Sequence, residues 1–253
     1  MEISLKRNEL FDQLYPDVVE HGRLRLLLKH LMPQMNVQLQ TGDDKSDWLA
    51  TTLDGKYGKS QIYMAAEKRL FLFDFWQKGV VLAEGRTDSV ERVLLALHEL
   101  LEKGVSPLEL TACFDYVTPH ENAAAFYQGP QFQVALQWET LDRRLIDESG
   151  RMGALHSLLQ MARQHPRLSQ LFPYTSMWSL CFSSCTGYPF QNPCPSIQPL
   201  SDEDSPQLFT VGDWNMDGKN VLFQGDAHEV IEFVAAQLPS ECGPARQGTA
   251  EDE

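Results

Sequence analysis

The sequence predicts an α+β fold made of two related halves, each an antiparallel β-meander followed by a helix, with a helical middle between them. Two observations predict it. The hydrophobic period switches along the chain from helical to alternating and back, and a strand–glycine–helix unit recurs, as VVLAEG at 80–85 and as NVLFQG at 220–225. In both copies a valine falls five residues after the glycine, at Val90 and Val230, and Val93 and Leu94 match Phe233 and Val234 at the next shared offsets. A tryptophan precedes each turn (Trp76 and Trp214), and the second turn reads as two residues longer.

Residues 1–34 read as N-terminal helices. Pro16 ends one segment and suits the first turn of the next, where its missing N–H costs nothing. Val18, Leu24, Leu27, Leu28 and Leu31 then share a face up to Pro33. The first α/β half spans 35–115. Its strands are DWLATTL, SQIYMA, RLFLFDFW and GVVLAEG, short β-branched and aromatic runs separated by turn residues. Phe71, Phe73 and Phe75 alternate with Leu70, Leu72 and Asp74, so this strand is apolar on both sides for most of its length and belongs inside its sheet. In the following helix Thr87 or Asp88 is placed to cap, and Val90, Val93, Leu94, Leu97 and Leu101 form one stripe up to Gly104.

Residues 116–169 read as a helical linker, broken at Gly129-Pro130 and Ser149-Gly150. A strand at 131–137 competes, because Phe132, Val134 and Leu136 alternate. The second half spans 170–239 and contains MWSLCFS, QLFTVGD and NVLFQG as strands, then a helix capped by Asp226. Residues 240–253 have few apolar side chains, end in Glu-Asp-Glu, and are expected to be a disordered acidic tail.

LFPYTSMWSLCFSSCTGYPFQNPCPSI (171–197), the glycine-ended strand and the closing Leu238-Pro239 resemble an uncharacterised bacterial domain family that carries the label "natural product biosynthesis protein". YPDVVEHGRL and FDFWQKGVVLAEGRTDSV in the first half fit the same pattern. The resemblance implies a family fold and no activity, so no catalytic residue is carried over.

Hydrophobic residues make up 43% and charged residues 22%, an ordinary globular composition, but 35 acidic residues against 21 basic give a net charge of −14. That balance disfavours nucleic acid and anionic membrane as partners, because phosphate binding relies on Lys and Arg. It suits a basic protein partner, whose approach an acidic surface accelerates. The N-terminus lacks the pattern of a signal peptide and no apolar run is long enough to span a bilayer, so a cytoplasmic location with reduced cysteines is expected.

Candidate chemistry is sparse. Cys181, Cys185 and Cys194 form C-x3-C-x8-C without a local fourth ligand, so structural thiols are expected and no metal or cofactor. Cys185 as a nucleophile needs a base such as His156, His165 or His228 brought near by folding. His120-Glu121 lacks the second histidine of a metalloprotease helix, and no glycine-rich phosphate loop occurs.

The loops of the second half carry the partner-binding candidates: Tyr188 and Phe190 in CTGYPFQNP, Asp202, Glu203 and Asp204 in SDEDS, and Asp213, Trp214 and Asp217 in GDWNMDG. Aromatic anchors among carboxylates suit a basic protein surface, although the same aromatics also suit satellite core. Two functional classes follow. One is a non-catalytic immunity protein that neutralises a cationic toxin; the other is an enzyme or accessory factor of a natural-product cluster.

Overall fold

The computed structural model describes residues 9–42, 50–200, 208–215 and 218–252; at residues 214, 215, 218 and 219 only the backbone is described. The chain divides into two compact units, Met1–Ala124 and Ala125–Glu253. Each contains one antiparallel sheet with its strands in sequential order, and the fold is α+β as expected.

The first unit begins with a helical segment at 9–14, α1 (Pro16–Glu20) and α2 (Leu24–Gln34). The meander follows as β1 (Gln40–Thr41), β2 (Ala50–Gly55), β3 (Gly58–Met64), β4 (Phe71–Gln77) and β5 (Val80–Thr87). After it come α3 (Val90–Leu97), a π-helical turn His98–Lys103 ended by left-handed Gly104, α4 (Pro107–Leu110) and β6 (Val117–Pro119), which adds to β5. Phe71, Phe73 and Phe75 are buried on one face together with Leu53, Ile62 and Leu82, and α3 packs on β4 and β5. The cap of α3 is Ser89, which accepts from the Arg92 N–H at 3.2 Å, rather than Thr87 or Asp88. The reason is the ladder: β5 stays paired through Thr87, opposite Phe71, so the chain is free to turn only two residues later.

The N-terminal helices are pinned to the 65–70 turn. Tyr15, fully buried, accepts from the Leu70 N–H at 3.0 Å and lies 2.8 Å from the Ala65 carbonyl. Beside it Arg69 makes two parallel bonds to the Asp17 carboxylate, at 2.7 and 2.8 Å.

The second unit opens within α5 (Asn122–Gln128) and continues with α6 (Pro130–Leu145), α7 (Gly150–Gln164) and a 3-10 turn Leu168–Gln170. Then come β7 (Phe172–Ser176), β8 (Ser179–Ser183), β9 (Ser196–Pro199), β10 (Phe209–Asn215), β11 (Gly218–Gly225) and α8 (Ala227–Gln237). Residues 131–137 are helical: Pro130 supplies a favourable first position, and Val134, Trp138, Leu141 and Leu145 form a buried stripe that outweighs the short alternation. This stripe packs with Leu155 and Leu158 of α7, Val230 and Val234 of α8, and Phe182, Ile197 and Phe209 of the sheet. The helices expected as a linker at 116–169 are thus, from Ala125 onward, the helical layer of the second unit.

The recurrence read from sequence has a structural counterpart. Each unit runs helices, five sequential strands, then a helix on the last hairpin. Both hairpins carry a β-bulge, and in both the unpaired residue is a leucine three positions before the glycine, Leu82 before Gly85 and Leu222 before Gly225. The extra residues of the second copy do not lengthen the turn. They lengthen the ladder beyond the bulge, which runs through Gly212↔Val221, Asp213↔Asn220, Trp214↔Lys219 and Asn215↔Gly218. The two glycines serve different neighbours. A Cβ on Gly85 would lie 2.0 Å from the Phe73 ring, whereas one on Gly225 would lie 2.5 Å from Glu229 Oε2.

Candidate interaction surface

The stretch 184–195 leaves β8 and packs back on β7. Its aromatic centre is Phe190, stacked on Tyr174 with ring centroids 4.3 Å apart and 5.6 Å from Phe172. Tyr174 donates to Asn192 Oδ1 at 2.9 Å, and burial pushes its hydroxyl pKa up to about 12. Phe190 is therefore an anchor of the loop. Tyr188 meets it edge-on, at 5.8 Å and 87°, and remains 67% exposed.

What holds this loop is the segment expected to be disordered. Residues 244–252 are ordered against it through backbone bonds. The Arg246 N–H donates to the Ser184 carbonyl at 2.9 Å, and the Arg246 carbonyl accepts from Thr186 N–H at 3.0 Å. Gly248 accepts from Gly187 N–H at 2.7 Å, and the Ala250 N–H donates to Pro189 at 2.8 Å. Ala245 is buried and donates to Gln170, while the Gln247 amide donates to the Phe126 carbonyl. The sequence concealed this clamp because its bonds are main-chain bonds between distant residues. Such bonds leave no apolar period, and they outweigh the polar composition that suggests disorder.

On the loop's inner side Cys185 is fully buried, its sulfur 3.3 Å from Ser183 Oγ and 3.6 Å from the Gly187 carbonyl. The thiols of Cys181 and Cys194 are pushed by burial up to about 11 and about 12, which disfavours the thiolate a nucleophile needs. Among the described residues no group of three or more His, Cys, Asp or Glu is placed to hold a metal ion. Among the same residues no helix is long and apolar enough to cross a membrane. His156 is engaged with Asp142 at 2.8 Å across the α6–α7 pair.

Among the described candidates, Asp213 and the Tyr188–Phe190 pair belong to different parts of the sheet. Asp213 is exposed on β10 and pairs with Asn220, while the Tyr188 loop packs on β7. In the sheet β9 and β8 lie between β10 and β7, the strand on which Phe190 stacks. The Trp214 backbone is in β10 opposite Lys219, and its side chain is outside the described residues; Asp202, Glu203, Asp204 and Asp217 are also outside them.

Two exposed residues were missed by sequence reasoning. Met177 and Trp178, read there as the start of a strand, form the β7–β8 turn and are 87% and 47% exposed. The signal was a long apolar pair next to Thr-Ser, whose turn character is visible only once Ser176 pairs with Ser179. A cavity of about 480 Å³ beside α6, lined by Val134, Trp138, Arg163, Pro244 and Ala245, also had no sequence signature, since the clamp supplies one wall.

Charge in the stretch 168–218 is one-sided. Between Arg167 and Lys219 the chain carries no Lys or Arg, and its only ionised side chains are Asp202, Glu203, Asp204, Asp213 and Asp217. No match was found among curated proteins or solved structures. Residues 133–249, most of the second unit and the clamp as far as Thr249, are similar to a family described as a family of unknown function, DUF6193.

Proposed function

We propose that this chain is a non-catalytic, cytoplasmic protein-binding module, an immunity protein that neutralises a cationic bacterial toxin by direct contact. The observation that carries the reading is Tyr188. It is a largely exposed aromatic side chain on a loop fixed on one side by Phe190 stacking and on the other by main-chain bonds to residues 246–250. An aromatic presented by a rigid loop loses little conformational entropy on docking, as interface hot spots require. The absence of Lys and Arg from 168–218 adds a negative field that accelerates a basic partner and repels nucleic acid.

The competing reading, an enzyme or accessory factor of a biosynthetic cluster, rests on the family label and on Cys185. That residue is fully buried and hydrogen-bonded within its own loop, so the site offers a substrate no access to it.

Co-expression with a basic toxin domain encoded beside this gene tests the proposal. Growth is expected to be rescued, and association of the purified pair is expected to slow as salt rises. Tyr188→Asp is expected to weaken the complex by about 30-fold or more, the scale of a hot-spot residue, without shifting the melting temperature. Unimpaired rescue by Tyr188→Asp, or an association rate indifferent to salt, would overturn the reading.

A further inference from the structure

We infer that the outer edge of β11 at Phe223–Gly225 is an acceptor for an extended strand of a basic protein partner. The inference rests on the binding role proposed above and adds where and how a partner segment docks.

The internal repeat supplies the argument. In the first unit the equivalent edge is filled: β6 pairs antiparallel with β5 through Ala83↔Pro119, Glu84↔Thr118 and Gly85↔Val117. Beyond the ladder the Arg86 N–H donates to the Tyr116 carbonyl at 3.0 Å, and the His120 N–H donates to the Leu82 carbonyl at 2.9 Å. Val117, over Gly85, is buried.

Counting from the glycines, Leu82 to Arg86 correspond to Leu222 to Asp226, and both copies share the bulge. Yet β11 ends its sheet, and among the described residues no strand pairs with its outer side. The consequence shows in the side chains: Leu82 is fully buried, while its counterpart Leu222 is 42% exposed and the adjacent Val221 is 48% exposed. By the same correspondence the Gln224 N–H and C=O and the Leu222 carbonyl point outward. The Asp226 N–H, the counterpart of Arg86, is instead satisfied by Glu229 Oε2 at 2.9 Å. An open edge flanked by exposed apolar side chains is a ready template for strand addition.

Charge selects the occupant. Asp226 and Glu229, both exposed, stand at the end of the edge in the first turn of α8. A second copy of this chain pairing about Gln224 would bring its own Asp226 and Glu229 to the same edge, and like charges there oppose it. A segment with Lys or Arg beside a small β-branched residue meets carboxylates instead, with the branched side chain over Gly225 as Val117 lies over Gly85.

The probe is a lysine-flanked Tyr-Val-Thr-Pro peptide, which copies residues 116–119, titrated to about 1 mM into the full chain while backbone amide shifts are followed. Changes confined to 221–226 and weakened by salt are expected. Gln224→Pro, which removes an outward N–H, and Gln224→Arg, which keeps it but adds a repelling charge, are each expected to lower affinity tenfold or more. Having both variants keeps the test decisive if proline disturbs the hairpin.

Absent or scattered shifts, equal binding by Gln224→Arg, or a concentration-dependent dimer held through 221–226 would overturn the inference. Toxin rescue that survives Gln224→Arg but is lost in Tyr188→Asp would defeat the edge assignment and leave the binding role standing. Peptide binding without any rescue by the native chain would do the reverse.

Discussion

Two aspartates of the first unit show how opposite environments set opposite responses to pH. Asp17 is held below its ordinary pKa of 3.8 by hydrogen bonds from the Arg69 guanidinium. Asp74, on β4, is raised above 3.8 by burial, despite accepting from the Gln61 N–H at 2.7 Å. A depressed carboxyl contributes stability that is full above 3.8 and lost as pH falls through the folded value. A raised one costs stability progressively as pH climbs from 3.8 through its folded value. Asp17→Asn is therefore expected to destabilise the first unit at neutral pH, and Asp74→Asn to stabilise it, because the amide oxygen still accepts from Gln61. In denaturant unfolding the Asp17 difference should disappear only once pH has fallen below that group's depressed folded value, and the Asp74 difference already once pH is well below 3.8. A stabilising effect of Asp74→Asn that persists there would assign it to packing. Neither role was legible in the sequence, where Asp74 only alternates with phenylalanines.

At the scale of elements, local chemistry was the better guide. The stripe Val90, Val93, Leu94, Leu97 is buried as its spacing requires, and Asp226 caps α8 in a reciprocal capping box with Glu229. The failures came where an element depends on a distant partner. Thr87 looks like a cap until its pairing with Phe71 is known, and residues 244–252 look disordered until they meet 184–190. Deleting residues 244–253 removes main-chain partners of Ser184, Thr186, Gly187 and Pro189 together. The expected result is faster hydrogen exchange at Thr186 and Gly187, with β10 and β11 unchanged. Unaltered exchange at those amides would show that Phe190 stacking alone fixes the loop.

For the whole molecule, the two units have separate sheets, and the second has a core drawn entirely from residues between Val134 and Ala245. A fragment comprising residues 125–253 is expected to fold alone, with a cooperative melt and native aromatic circular dichroism. A molten fragment would show that its core depends on the first unit. Residue order alone gave away the α+β class, the interior strand of the first meander, and the recurring hairpin with its glycine. All of these arise from short-range burial periods and from residue types that tolerate only certain backbones. Long-range packing was needed to place the middle helices in the second unit's core and to set the C-terminal segment as the clamp of the aromatic loop. The same holds for β6, which fills the edge of β5, while among the described residues no strand pairs with the outer side of β11. These outcomes depend on main-chain hydrogen bonds between segments far apart in the chain, and every non-proline residue carries the same N–H and C=O, so composition cannot announce which will pair.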